Sequence, residues 1–280
     1  MYNIKESSDL NYGQMKKHLI HPWEKSMRVV NVIITLIAII SSLGFIAYMV
    51  INPDSINDES IQGGFAVFGL FIMIIIQLGR QYGKSRANSV QLGRDQFPEI
   101  YEIVEDFSKR LDMGYVPEVY LTQQGGVLNA FATSFFSRKF ISINSAIFEL
   151  AYLEHKDVDT LAFVIGHELT HLKRKHSTTG MMLLEMIPSL IPVWGMAVSR
   201  VKEYTCDRHA LWLAPLGGEG LILLATGKHM YKHVNIENYI KTSQNYKGFF
   251  FWLYNLLASH PAGPKRIKAI HDTSSWGKVF

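Results

Sequence analysis

The pattern of apolar and polar positions divides the chain near residue 80. Residues 29–51, VVNVIITLIAIISSLGFIAYMVI, are 23 consecutive positions without a charge, and residues 61–79, IQGGFAVFGLFIMIIIQLG, form a second uncharged stretch. A helix of about 20 apolar residues covers the roughly 30 Å of bilayer hydrocarbon, so both stretches read as membrane spans rather than buried core helices. The first is too long for a cleaved signal peptide, begins too late, and is followed by NPDS rather than by small residues. Beyond residue 95 the pattern becomes that of a globular domain. FPEIYEIVEDFSKRLDM (97–113) repeats its apolar residues at helical spacing behind Pro98, whereas VPEVYLT (116–122) and RKFISIN (138–144) are short, β-branched or aromatic, and read as strands. Helices are predicted over 145–153, 157–176, about 200–213, 218–232 and 263–271. The fold class is therefore mainly α with a small β-sheet, following two N-terminal transmembrane helices.

Composition and charge refine this division. The 280 residues are 48% hydrophobic with a net charge of +4, and the mean hydropathy is +0.07, as for a membrane portion joined to one domain. With no dense Lys/Arg tract and no nucleic-acid motif, nucleic acid is not an expected partner. The charge is instead placed to orient the spans. Lys16, Lys17, Lys25 and Arg28 precede the first, Arg80, Lys84, Arg86 and Arg94 follow the second, and the loop NPDSINDES between them has no Lys or Arg. The positive-inside rule puts that loop outside, and puts the arm 1–28 and the domain 95–280 in the cytoplasm of a multi-pass protein of the inner or cell membrane, with 29–80 as the membrane unit. A single cysteine, Cys206, rules out an internal disulfide framework and fits a reducing compartment.

The candidate chemistry lies in LAFVIGHELTHLKRKH (161–176). His167 and His171 are four residues apart, so on a helix they leave the same face and can both hold one zinc ion through neutral ring nitrogens. Glu168, one residue on, can reach a water at the metal without being a ligand, the general-base position of HExxH peptidases. Eleven histidines also allow an accidental HExxH on an ordinary helix face, so a third ligand is decisive. The extended HExxHxxGxxH pattern is absent, because Arg174 and Ser177 occupy its later positions. The best candidate is Glu203, with Asp207 four residues on as the carboxylate that holds a ligand histidine ring. The alternative for both is a solvated polar helix face. Glu185, His176 and His209 are the rival third ligands.

These motifs in this order resemble the HtpX-like membrane zinc metallopeptidases, relatives of the CAAX prenyl endopeptidases. The resemblance covers about residues 97–271 and is carried by PEVYLTQQGGVLNAFAT, VIGHELTHLKRKH, RVKEYTCDRHA and SHPAGPKRI. It implies a zincin-like (gluzincin) domain with one zinc per chain held by His167, His171 and Glu203, Glu168 as base and Asp207 behind the ligands. Asn129, Ala130, Phe131 and Ala132 match a substrate-contacting segment beside an edge strand, where an extended peptide can add as a further strand; a plain β-turn with Phe131 in the core is the alternative. His260 and Arg266 match a motif near the active site. His260 is a candidate catalytic group that stabilises an oxyanion, or else it anchors the final helix, and Arg266 is expected to support the ligands from behind.

One departure concerns 180–199, GMMLLEMIPSLIPVWGMAVS, which replaces a further pair of hydrophobic segments in HtpX itself. A single crossing there would put His171 and Glu203 on opposite faces of the membrane, so Pro188 and Pro192 point to a helical hairpin, membrane-associated or packed in the core. The expected function is a membrane-anchored zinc endopeptidase acting on membrane or unfolded proteins, in quality control or processing. A catalytically silent scaffold or binding module is the alternative, against which Glu168 stands. A site-2-type intramembrane protease is disfavoured by LKRKH directly after His171, and a prenyl-protein endopeptidase by the presence of only two clear spans. Polypeptide substrate and membrane are the expected partners; a homo-oligomer or an accessory membrane protein stays open.

Overall fold

A computed structural model describes residues 4–280 except Ser8, Ile56, 124–127 and His155. A short helix, α1 (Tyr12–Leu19), opens on an Asn11–Gln14 capping box and leads into α2 (Pro22–Ile51), which has Pro22 at its first position and the Trp23 N–H capped by the His21 ring. α3 (Asp58–Ala87) starts from a second capping box, Asn57 with Ser60. At 1.5 Å per residue α2 and α3 are each about 45 Å long. The rest of the protein covers only 6% of the most apolar stretch of either, leaving side chains such as Ile40, Val50 and Phe65 bare. The chain thus has two helices long and apolar enough to cross a membrane.

The domain that follows is built on a small sheet and three helices. β1 (Ser89–Gln91), β2 (Glu118–Thr122), β3 (Ala130–Phe135) and β4 (Arg138–Asn144) form one sheet in the order β1-β2-β4-β3, with β2 and β4 parallel and the other pairs antiparallel. The residues 124–127 of the β2–β3 connection lie outside the described residues. α4 (Pro98–Arg110) supplies Ile100, Val104 and Phe107 to the core, and α6 (Val158–Lys173) supplies Leu161, Ile165 and Leu169, packed on Ile141 and Ile143 of β4 and on Leu211 and Trp212 of α8 (Pro192–Leu213). Between them α5 (Ser145–Glu149) passes into a π-turn through Glu154. α7 (Thr179–Ser189) precedes α8, so the apolar run 180–199 is folded as two helices meeting at Leu190 and Ile191. This hairpin packs along α2, where Thr35 donates to the Leu184 carbonyl at 2.6 Å, and Asn31 meets both Glu185 at 3.3 Å and the Trp194 N–H at 2.7 Å.

The region 218–232 departs from the expected helix. It forms a 3-10 turn (Gly217–Ile222), one turn of helix, α9 (Leu223–Thr226), and a second 3-10 turn (Tyr231–His233). The glycines explain the difference, because this segment lies against the N-terminus of α6. A Cβ on Gly217 would stand 2.0 Å from the Asp159 carbonyl oxygen, and one on Gly220 would stand 2.4 Å from the Thr160 side chain. Close approach, not helix propensity, shapes this stretch. Two further helices, α10 (Ile236–Ser243) and α11 (Phe249–Leu257), are not foreseen by the apolar pattern, and α12 (Gly263–His271) closes the chain.

Residues before the first apolar run belong to the same core. Met15 and Leu19 are fully buried with Ile4 and Tyr12. The Trp212 N–H donates to the Ser7 carbonyl at 3.0 Å, and the His21 N–H donates to Thr205 Oγ1 at 3.1 Å. The tightest link is Glu24, on the first turn of α2 and only 3% exposed. Its Oε1 accepts two hydrogen bonds from Arg174, at 2.7 and 3.0 Å, and lies 3.2 Å from His176 Nε2 and 3.4 Å from Arg28. Burial would push Glu24 up, but His176 and the Arg174 guanidinium hold it well below the usual carboxylate range. Removing one partner of a buried pair leaves an uncompensated charge and costs about 3–5 kcal/mol. Glu24→Ala should therefore lower stability by about 3 kcal/mol, read as a markedly lower midpoint in thermal unfolding of the detergent-purified protein; an unchanged midpoint would remove this link from the fold.

Candidate metal centre

α6 is started by Asp157, whose side chain caps the Thr160 N–H at 3.0 Å, and it carries HELTH along the face turned to β3 and α8. Gly166 lets α8 come close, since a Cβ there would lie 3.2–3.3 Å from Leu213 and Ala210. One turn apart on α6, the His167 and His171 Nε2 atoms face each other at 3.2 Å. The Glu203 carboxylate completes a triangle, with Oε2 3.5 Å from His167 Nε2 and Oε1 3.5 Å from His171 Nε2. A tetrahedral zinc with bonds of about 2.0–2.1 Å has ligand–ligand edges of about 3.3–3.4 Å. The spacing of these three donors fits that ion.

The groups behind the triangle set its charge. His167 Nδ1 donates to Asp207 Oδ1 at 3.0 Å, which turns the Nε2 lone pair toward Glu203 and His171. Arg266 grips Asp207 with both arms, Nε to Oδ2 at 2.8 Å and NH2 to Oδ1 at 2.6 Å, and its NH2 lies 3.5 Å from Glu203 Oε2. Burial alone would lower His167, yet its bonds to Asp207 and Glu203 outweigh it and push the ring up to about 10. Burial would likewise raise Glu203, but His167, His171 and Arg266 hold it well below the usual range. The site thus demands positive charge where the Nε2 atoms meet. With the histidine rings neutral, the form in which they would hold a metal, Glu168, Glu203 and Asp207 bring three negative charges against the one of Arg266, and a divalent cation brings the cluster to neutrality.

A cavity of about 390 Å³ opens on this cluster. Glu168 and His260 reach it with the histidines, and Ala130, Phe131 and Ala132 also line it. Ala130–Ala132 lie in β3 itself, an outer strand of the sheet, rather than in a β-turn. The Ser134 N–H turns outward to the Ser177 carbonyl at 3.1 Å, while the Asn129 carbonyl faces β4. By the two-residue alternation of an antiparallel strand, the N–H and C=O of Ala130 and Ala132 also point away from β4. Asn129 lines the cavity next to them. His260 is largely exposed, with Nε2 3.7 Å from Glu203 Oε1 and Nδ1 3.0 Å from Ser259 Oγ.

The rival ligands are engaged elsewhere. Glu185 pairs with Lys202 and Asn31. His176 lies between Glu24 and Cys206, and burial pushes it down to about 3. His209 bonds the Thr205 carbonyl at 2.7 Å and approaches Tyr12. Cys206 is the residue that sequence reasoning passed over. Its thiol lies within 4.8 Å of ligand atoms of His167 and His171, so these three can hold a metal, and the signal for it was its position one helical turn after Glu203. Burial and the surrounding carboxylates, Glu203 first, push that thiol well up, and its Sγ contacts His176 Nδ1 at 3.6 Å.

Residues 94–196 match the family model described as Peptidase family M48. This segment, from just after β1 to the start of α8, contains HELTH, and the match agrees with the HtpX-like resemblance of the motifs. Glu203, Asp207, His260 and Arg266 lie beyond it. A solved structure, the crystal structure of S. mikatae Ste24p, is 14% identical with a TM-score of 0.48, over 89% of this chain and 67% of that one. No curated protein matches the chain.

The choice between Glu203 and Cys206 is open to measurement. Glu203→Gln should weaken zinc binding about a hundredfold or more, and Cys206→Ser should leave it within a few-fold. Competition with a chromophoric chelator reads both; the reverse ranking would make the thiol the third ligand.

Proposed function

We propose that this protein is a membrane-anchored, zinc-dependent endopeptidase whose domain faces the cytoplasm and cuts membrane or unfolded polypeptides. The observation that carries the reading is the triangle of His167, His171 and Glu203 donors, set in one cavity with Glu168 and the outer strand β3. His167, His171 and Glu203 would hold the zinc, which when bound supplies Lewis-acid polarisation of the scissile carbonyl. Asp207 keeps the proton on His167 Nδ1, and Arg266 keeps Asp207 charged and in place. Glu168 takes a proton from the attacking water and later delivers it to the leaving amine. His260, at the cavity rim, donates a hydrogen bond to the developing oxyanion. An extended substrate pairs with Ala130 and Ala132, adding a strand beside β3 and bringing its backbone past the reacting atoms.

Membrane anchoring rests on α2 and α3, and the cytoplasmic side rests on the Lys/Arg asymmetry around them. The M48 match supports a metallopeptidase.

Two substitutions test separate parts of this account. Glu168→Gln should retain about one zinc per chain while casein cleavage by the detergent-purified protein falls about 10²–10⁴-fold; cleavage at the wild-type rate would remove Glu168 from the chemistry. Ala130→Pro deletes an outward N–H at the first residue of an outer strand, where proline is tolerated. It should lower kcat/KM about tenfold with zinc content unchanged, and an unchanged kcat/KM would exclude pairing at that position.

A further inference from the structure

α11, FFFWLYNLL, has an outer face that none of the described residues covers. Asn255 is buried toward the protein, whereas Phe249, Phe250, Trp252, Tyr254 and Leu257 point outward, Phe250 being 80% exposed. Together they present on the order of 500 Å² of apolar surface, as large as the largest patch on an ordinary soluble monomer, from one nine-residue helix. The helix carries no charge, and Lys247 lies two residues before its first position.

Its position connects this face to the apolar helices. Arg200 of α8 donates to the Leu256 carbonyl at 3.1 Å, to that of Ala258, and to the Val279 carbonyl at 2.7 Å. The next residue, Phe280, packs against Trp23 on the first turn of α2, ring centres 6.2 Å apart. α11 is thus fixed beside the end of α2 that leads into its uncharged run. α8, on which it packs, starts from the turn at Leu190 and Ile191, both exposed, and the hairpin is tied to Asn31 and Thr35 inside that run. Aromatic residues with a flanking lysine, next to a helix that enters hydrocarbon, are the composition of a membrane interface.

We infer that α11 is an interfacial helix, its outer face seated at the headgroup–acyl boundary of the leaflet that α2 enters. The inference rests on the reading of α2 as a membrane span, and it deepens the proposed function. α11 ends at Leu257, and three residues later, within about 10 Å of chain, His260 reaches the cavity. Seating α11 therefore places the cavity mouth at the bilayer surface. The substrates it favours are polypeptide segments emerging from the membrane.

The test uses the full chain in phosphatidylcholine/phosphatidylglycerol vesicles, with nitroxide labels on Phe250→Cys, on Ile40→Cys of α2 and on Lys109→Cys of α4. Cys206 is buried and stays unlabelled. The ratio of oxygen to nickel-chelate accessibility at position 250 should exceed that at 109 several-fold and approach that at 40. A value at 250 equal to that at 109, with 40 in lipid, overturns this inference alone. Water-like values at both 250 and 40 overturn the span as well. Spin–spin broadening at 250 that vanishes on dilution with unlabelled chain assigns the face to a second copy and also overturns it. A Phe249→Ser/Phe250→Ser/Trp252→Ser variant should cut a bilayer-anchored peptide about tenfold more slowly than wild type and cut soluble casein at the same rate; equal loss on both substrates counts against the inference.

Discussion

Between α6 and α8 three carboxylates, of Glu168, Glu203 and Asp207, are held out of water beside a single guanidinium, that of Arg266. Isolated buried charges are costly, and Glu203 and Asp207 are tolerable there because each has specific partners. Arg266 neutralises Asp207, Asp207 orients His167, and His167 with His171 and Glu203 forms a pocket that calls for a cation. The close contact at Gly166, the outer position of β3 and the docking of α12 through Arg266 all serve to bring these side chains from different elements to one point.

A second buried ionic cluster, around Glu24, fixes the long apolar helix α2 onto the helix that carries HELTH. Arg174 stands at the end of α6, His176 just beyond it, and Cys206 on α8 lies three residues from Glu203. α2 is therefore joined directly to both helices of the candidate metal centre. A protein built this way holds its cavity at a set height and orientation relative to α2. That geometry is what gives meaning to the aromatic face of α11, so close in sequence to the cavity rim.

Much of the architecture was legible in the chain itself. Uncharged runs of 23 and 19 residues made two long apolar helices nearly unavoidable, since backbone in an apolar medium must satisfy its own hydrogen bonds. The short, β-branched and aromatic segment RKFISIN matched β4 residue for residue, and the period of 97–113 appeared as α4. Short or irregular elements were harder to read. Residues 218–232 read as a helix, but Gly217 and Gly220 answer to a close approach on α6 that no local pattern expresses. α11 is apolar nearly all round, so it has no periodic signal to mark which face would be covered.

For the site, the sequence by itself determined that His167, Glu168 and His171 share one helix, because a spacing of four residues fixes a common face whatever surrounds it. The same local rule put Glu203 and Asp207 on one face of α8. It could not say that this face meets the histidines, that Arg266 arrives from α12 to hold Asp207, or that Cys206 also comes within 4.8 Å of the histidine nitrogens. Those are contacts between residues 32 to 59 apart in the chain. They are decided by how α6, α8 and α12 pack, because a buried carboxylate is stable only where another element brings it a partner.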